Sequence, residues 1–349
     1  MKIDLVPKIT VLMPVFNCAP YIGDAINSIL IQTYIDFEFI IVDDCSTDGT
    51  VEIIGKIEDP RIILLSKETN TGYTKSLNLG LDMARGEYIA RMDGDDISLP
   101  ERFNRQVYFM DNNPDVAVCG TWFEYIGEGN QLMPFPLTHD AIKILLLEQN
   151  PIGHPTAMIR KSILDKNWLR YDETMEPSED YDLWIRLSAY GQLANIGERL
   201  LMYRIHDKQV SAIKIKRQNL NALACRLKGY QLLKPDVKME DLYYDSNIKC
   251  SKMNAFKRIK KVHSIWQELA ERNKKAGIYD SRLFLSFANN KASLNIRSFF
   301  LNYRNQNFYT ACKLIFSQKL FYPYFTKKEI GTIVVKSIYH SLKPVSKAN

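Results

Sequence analysis

The sequence predicts an α/β fold, a mostly parallel sheet flanked by helices, followed by a mainly helical C-terminal region. Three observations carry that expectation. Short β-rich apolar runs alternate with helical patterns through roughly the first hundred residues. Several of those runs end in acid: Asp43 and Asp44 after one, and Asp93, Asp95 and Asp96 after another. The charge balance then inverts. Residues 1–206 hold 18 basic and 31 acidic side chains, whereas residues 207–349 hold 28 and 9.

The elements follow in order. "KITVLMP" (8–14) is a β-rich run stopped by Pro14, and "YIGDAINSILIQT" (21–33) spaces Ile22, Ala25, Ile26, Ile29 and Leu30 as a helix does. "FEFIIVDD" (37–44), "RIILLS" (61–66) and "EYIARMD" (87–93) read as further strands. Between them, "STDGTVEIIGKI" (46–57) opens with capping residues, and "NTGYTKSLNLGLDMA" (70–84) is a turn running into a helix. "LPERFNRQVYFMDNNP" (99–114) is a helix with Pro100 near its start and Pro114 after its end. "VAVCGTWFEYIG" (116–127) is a strand and turn, and residues 141–164 read as helix, loop, strand and helix. "PSEDYDLWIRLSAYG" (177–191) is a helix that Ser178 can cap, with Leu183, Trp184, Leu187 and Tyr190 as its apolar stripe. "RLLMYRIHDKQVS" (199–211) is a strand leading into a loop. Residues 254–277, 282–305 and 309–325 are helix-like and aromatic, and the first places Phe256, Ile259, Val262, Trp266 and Leu269 on one stripe. These patterns divide the chain into 1–211 and 212–349.

The six cysteines, at 18, 45, 119, 225, 250 and 312, show no close pairing. That spacing argues against zinc or a disulfide framework and fits a reducing compartment. No signal peptide is expected, and no apolar run reaches the roughly 18 residues that a membrane span needs. A cytoplasmic protein follows, with the inner face of the cell membrane as a place of contact. The basic tail fits either an ordinary helical subdomain or a surface resting on an anionic membrane. Its basic residues are scattered among helices and match no nucleic-acid motif, so no nucleic acid is expected as partner.

In parallel sheets ligands bind at the carboxyl ends of the strands, where Asn17, Asp43, Asp44 and the Asp93–Asp96 group collect. One acidic strand end would read as a turn or cap; several at one edge read as a site. Three aspartates within four positions repel one another unless a cation joins them. Asp93-Gly94-Asp95 is a DxD arrangement of oxygen ligands suited to Mg²⁺ or Mn²⁺.

The motifs "VLMPVFN", "FIIVDDCSTDGT", "NTGYTKSLNLGL", "RMDGDD", "SEDYDLWIRL" and "MYRIHDKQVS" occur in that order over residues 8–211. Together they resemble those of the family 2 glycosyltransferases, which have the Rossmann-like GT-A fold. The resemblance implies transfer of a sugar, with inversion, from a nucleotide-diphosphate donor to an acceptor hydroxyl. A UDP-sugar is the favoured donor, and a saccharide or lipid-linked saccharide of bacterial surface-polysaccharide synthesis the acceptor. Carried over from the family, Asp95 is the direct metal ligand, Asp93 lies by the ribose or the metal, and His206 matches a position that often coordinates the same ion. Pro14, Val15 and Phe16 match the floor beneath the base, and Asp43 the carboxylate that reads a uracil-type N–H. Asp180 matches the general base, with Glu179 orienting acceptor or loop.

Other residues keep two readings. Lys75 at a helix start suits an anion, or is a solvated face. Arg204 can grip a phosphate, or is a strand-edge charge. Asp44 and Asp96 can hold loops, Asp182 points elsewhere on its helix, Trp184 reads as core, and His154 can line an acceptor pocket. Two other classes compete with a transferase. A nucleotidyltransferase would want a Gly- and Lys/Arg-rich loop after strand one, which "MPVFNCAPY" lacks. A catalytically inactive sugar-nucleotide-binding or scaffold protein would have no need of Asp93, Asp95, Asp180 and His206 together.

Overall fold

A computed structural model of the chain describes residues 6–127, 130–207, 214–243 and 252–302. It begins with four strands joined by three helices: β1 (Ile9–Val15), α1 (Ile22–Leu30), β2 (Phe37–Asp43), α2 (Thr50–Ile54), β3 (Ile62–Ser66), α3 (Tyr73–Met83) and β4 (Tyr88–Arg91). β5 (Ile97–Ser98), α4 (Arg102–Asn112), β6 (Val116–Ile126), β7 (Leu132–Met133) and α5 (His139–Leu145) follow. β8 (Met158–Arg160), α6 (Lys161–Lys166), α7 (Glu179–Leu187) and β9 (Gln192–Arg204) complete the sheet and its cover. The strand order is β3-β2-β1-β4-β8-β6-β9-β5, with β7 on β6. β1 to β4 are parallel to their neighbours among themselves, as are β6 and β9; β8, β5 and β7 run antiparallel.

β1 and β2 are apolar along nearly their whole length because helices cover both faces. Alternation still decides which face each residue serves. Ile9, Val11, Met13 and Val15 pack in one core with Ile22, Ile26 and Ile29 of α1 and Phe103 and Val107 of α4. Leu12, Ile40 and Val42 pack in the other, with Leu77 and Leu81 of α3 and Leu183, Trp184 and Leu187 of α7. Trp184 is therefore core. Tyr190 lies past the end of α7 and is 51 % exposed, so the apolar stripe stops at Leu187. Ser178 does not cap α7 either; its hydroxyl donates to the Gln218 carbonyl at 3.3 Å. The strand expected within 199–211 begins earlier, at Gln192, and passes into a loop after Arg204.

The chain runs outward from β1 to β2 and β3, then returns to place β4 on the other side of β1. That reversal opens a crevice at the carboxyl ends of β1 and β4. β1 stays paired with β2 as far as Val15–Asp43, but its last pair with β4 is Leu12–Arg91. Pro14 lies beyond that last pair, where its missing N–H costs the sheet no bond.

The chain divides into two compact units, residues 1–229 and 230–349. Most of α8 (Ile215–Gln231) belongs to the first. In the second, α9 (Met239–Leu242), α10 (Lys252–Ala276) and α11 (Ser281–Asn302) surround a small core. Ile259, Val262, Trp266 and Leu269 form the buried stripe of α10, and the Trp266 indole donates to the Leu242 carbonyl at 2.9 Å. The expected helix at 309–325 lies outside the described residues. Among the described residues no helix is long and apolar enough to cross a membrane.

Candidate active site

The crevice is floored by the turn after β1. Val15 is buried and Phe16 is 45 % exposed at the rim. Asn17 takes a left-handed backbone (φ 52°), which Asn tolerates better than most residues. It is held there because its side-chain oxygen accepts from the Thr47 N–H at 2.8 Å and its own N–H donates to the Ser46 hydroxyl at 2.9 Å. Asp43 is buried at the end of β2, where its carboxylate accepts the Ser46 N–H. Asp44 turns the other way. It accepts the Thr71 and Gly72 N–H groups at 2.9 and 2.8 Å and pairs with the Lys67 ammonium. It thereby fastens the loop that opens α3, at the one position in that loop (Gly72, φ 96°) with a backbone few side chains tolerate. Lys75 follows on the first turn of α3, half exposed, 3.8 Å from Glu173.

Across the crevice, Asp93, Asp95 and Asp96 present carboxylate oxygens within 4.8 Å of one another. Each is held differently. Asp93 pairs with the buried guanidinium of Arg91 at 2.5 Å. Asp95 lies 2.9 Å from Nε2 of His206. Asp96 is buried; its Oδ1 accepts the Arg204 N–H at 2.8 Å, while Oδ2 has no hydrogen-bond partner among the described residues. Burial, then Asp93, pushes Asp95 above its ordinary range; burial, then Asp95 and Asp93, pushes Asp96 well above it. The Arg204 side chain donates to the Asp95 carbonyl at 2.8 Å and lies 4.9 Å over the Tyr21 ring, which in turn packs 5.0 Å from His206. Gly94 packs tightly against the turn after β1: a Cβ there would lie 2.9 Å from Val15 and 3.3 Å from the Cys18 sulfur. This set fits a divalent cation. Its donors are hard oxygens, their mutual repulsion is only partly offset, and one buried oxygen remains unpaired.

The second acidic group opens α7. Glu179 is buried and accepts from the Tyr73 hydroxyl at 2.6 Å. Asp180, partly exposed, accepts from the Asn150 amide and from the Tyr181 N–H, both at 2.7 Å. Burial, with Asp180 beside it, pushes Glu179 up to about 8; burial pushes Asp180 up to about 6. Both carboxyls are therefore held above their ordinary range. His154 is part-buried, with Nδ1 3.6 Å from Glu179 and Nε2 3.0 Å from the Tyr171 hydroxyl. Asp182 faces away and is held between Arg186 and Lys228 at 2.7 and 2.6 Å. Four partners had no signal in the sequence: Arg91, Lys67, Tyr73 and Asn150. Only Arg91 stands out in retrospect, as a charge inside the strand pattern "EYIARMD".

The profile described as glycosyl transferase family 2 matches residues 10–168. Over 219 residues the chain is 34 % identical to the O-antigen biosynthesis glycosyltransferase WbnJ of Escherichia coli, covering 60 % of this chain and 84 % of that one. Two solved structures share the fold at low identity. TarS of S. aureus in complex with UDP-GlcNAc is 20 % identical with a TM-score of 0.56, over 85 % of this chain and 91 % of that one. The mannosyltransferase PcManGT of Pyrobaculum calidifontis, in complex with GDP-Man and Mn²⁺, is 15 % identical with a TM-score of 0.51, over 97 % and 88 %. With these likenesses joined to the strand order and the acidic crevice, the chain belongs to glycosyl transferase family 2 and has the GT-A fold.

Proposed function

We propose that this chain is an inverting, metal-dependent glycosyltransferase of bacterial surface-polysaccharide synthesis. It moves a sugar from a nucleotide-diphosphate donor, a UDP-sugar by preference, to a hydroxyl of a saccharide or lipid-linked saccharide. The observation that carries the reading is the pairing of two differently built acidic groups in one unit: Asp93–Asp96 at the end of β4, and Glu179–Asp180 at the start of α7.

Asp95 and Asp93, with His206 against Asp95, would hold Mn²⁺ or Mg²⁺, which supplies charge to the departing diphosphate. Pro14, Val15 and Phe16 floor the nucleotide, Asp43 reads the base edge, and Arg204 and Lys75 face its phosphates. Asp180 takes the proton of the acceptor hydroxyl as that oxygen attacks the anomeric carbon and the bond to diphosphate breaks. Asn150 sets the carboxylate's angle, and Glu179 orients the acceptor or the loop. Residues 1–211 carry this chemistry. Residues 212–349 contact the acceptor or the anionic cytoplasmic face of the membrane, where their net charge of +19 is favourable.

The test is a panel of nucleotide sugars read by thermal shift with Mn²⁺ and with chelator. A donor that binds the folded state raises its melting temperature. The expected result is a shift with at least one UDP-sugar that chelation removes, accompanied by slow hydrolysis of that donor. No shift and no hydrolysis with any nucleotide sugar would overturn the reading.

A further inference from the structure

Tyr21 lies outside the six sequence motifs and outside both hydrophobic cores, and it is only partly buried. Core packing therefore does not account for an aromatic ring at this position. Its backbone is fixed on both sides. The Tyr21 N–H donates to the Cys18 carbonyl at 2.9 Å, and the Tyr21 carbonyl accepts the Ala25 N–H at 3.1 Å. The ring is thus anchored where the turn after β1 enters α1.

Two side chains from the end of β9 meet that ring. The Arg204 guanidinium lies 4.9 Å over its centre, and the His206 imidazole packs 5.0 Å away with the two planes tilted by 32°. Arg204 is itself tied to the aspartate turn, by its N–H to Asp96 and by its side chain to the Asp95 carbonyl, both at 2.8 Å. His206 returns to the same turn through Nε2, 2.9 Å from the Asp95 carboxylate. These contacts close a circuit that runs from Asp95 through Arg204, Tyr21 and His206 back to Asp95. His206 stands two positions past the last residue of β9, so the sheet does not set its ring plane. A ligating imidazole binds an ion best when its orientation is fixed beforehand, because ordering it on binding costs affinity.

We infer that Tyr21 is a positioning residue for the cation site, its ring setting the plane of the His206 imidazole beside Asp95. The inference rests on the proposed Mn²⁺ site, and it is read by metal affinity rather than by turnover. In the experiment Mn²⁺ is titrated into the full chain with UDP present, and the free ion is measured by electron paramagnetic resonance. His206→Ala should weaken binding, and Tyr21→Leu should weaken it about tenfold, as loss of a group that orients a metal ligand does. Tyr21→Phe, which keeps the ring, should stay within about twofold of wild type. In the His206→Ala background, Tyr21→Leu should cost less than about twofold more, because the ligand it orients is gone. Wild-type affinity in Tyr21→Leu or in His206→Ala overturns the inference, as does an undiminished loss from Tyr21→Leu in the His206→Ala background. If Tyr21→Leu does not fold, Tyr21→Met takes its place; if neither folds while Tyr21→Phe does, the ring serves packing and the inference is overturned. A wild type that binds no Mn²⁺ overturns the metal reading itself, an outcome distinct from a bound ion indifferent to Tyr21.

Discussion

The two acidic groups set carboxylates in opposite surroundings. Asp93 and Asp95 keep company with Arg91 and His206, at the end of a strand and near solvent. Glu179 and Asp180 are held by a phenol, an amide and a backbone N–H at the start of a helix. The first arrangement brings three oxygens together and leaves one unpaired, which suits a cation. The second raises the proton affinity of both carboxyls by taking them out of water, which suits proton transfer. Sequence composition alone cannot make that distinction; what surrounds each carboxylate makes it.

Substitutions that exchange these roles should have the largest effects. Asp95→Ala should remove Mn²⁺-dependent donor binding and all turnover together, read by thermal shift and product formation. Asp180→Asn should keep donor binding within about twofold and lower transfer by about 10³-fold, the scale of general-base catalysis. Equal loss of donor binding in both variants would erase the division between the groups.

The pH profile refines the second group. Transfer should fall about tenfold per unit below about 6, as Asp180 takes up its proton. Asn150→Ala removes a hydrogen bond that lowers the Asp180 pKa, so the acid limb should move up by about one unit. An unmoved limb would separate Asn150 from the base.

Stability should respond next. Folding raises the Glu179 pKa, so the folded state binds that proton more tightly than the unfolded chain does. Its contribution is fully present below the ordinary glutamate range and is lost as pH rises through about 8. Wild-type melting temperature should therefore fall across that window, and Glu179→Gln should flatten the decline. The smallest effect is expected away from both groups. Lys228→Ala removes a partly exposed partner of Asp182, and Arg186 remains, so the cost should be about 1 kcal/mol or less with turnover unchanged.

Much of this molecule was legible from its sequence. β1 and β2 announce themselves as apolar runs because helices bury both their faces. The acidic strand ends point to the crevice because parallel strands bring their carboxyl ends to one edge. β5 and β7 carry no periodic signal, being two residues long. β9 starts in the mixed stretch Gln192–Arg199, whose Asn195, Gly197 and Glu198 mask the strand that pairing to β6 fixes. Ser178 looked like a cap, but its hydroxyl finds a carbonyl forty positions away. Tyr73 and Asn150 were illegible for the same reason: each meets its carboxylate only after the sheet has closed.

Glu176 carries a consequence for anyone who would exchange parts between relatives. One of its carboxylate oxygens accepts the Thr74 hydroxyl of α3 at 2.8 Å, the other the Lys214 ammonium at 2.7 Å, and its carbonyl the Asn221 amide at 3.0 Å. With Lys228 on Asp182, these bonds stitch α8 to the segment leading into Asp180. A graft joined at residue 211 would bring in a foreign α8 and put those stitches at risk, whereas a seam between Gly229 and Tyr230 would cross between compact units. Chimeras cut at the later seam should keep the Glu176 and Asp182 bonds to α8, read as a melting temperature close to that of the parent.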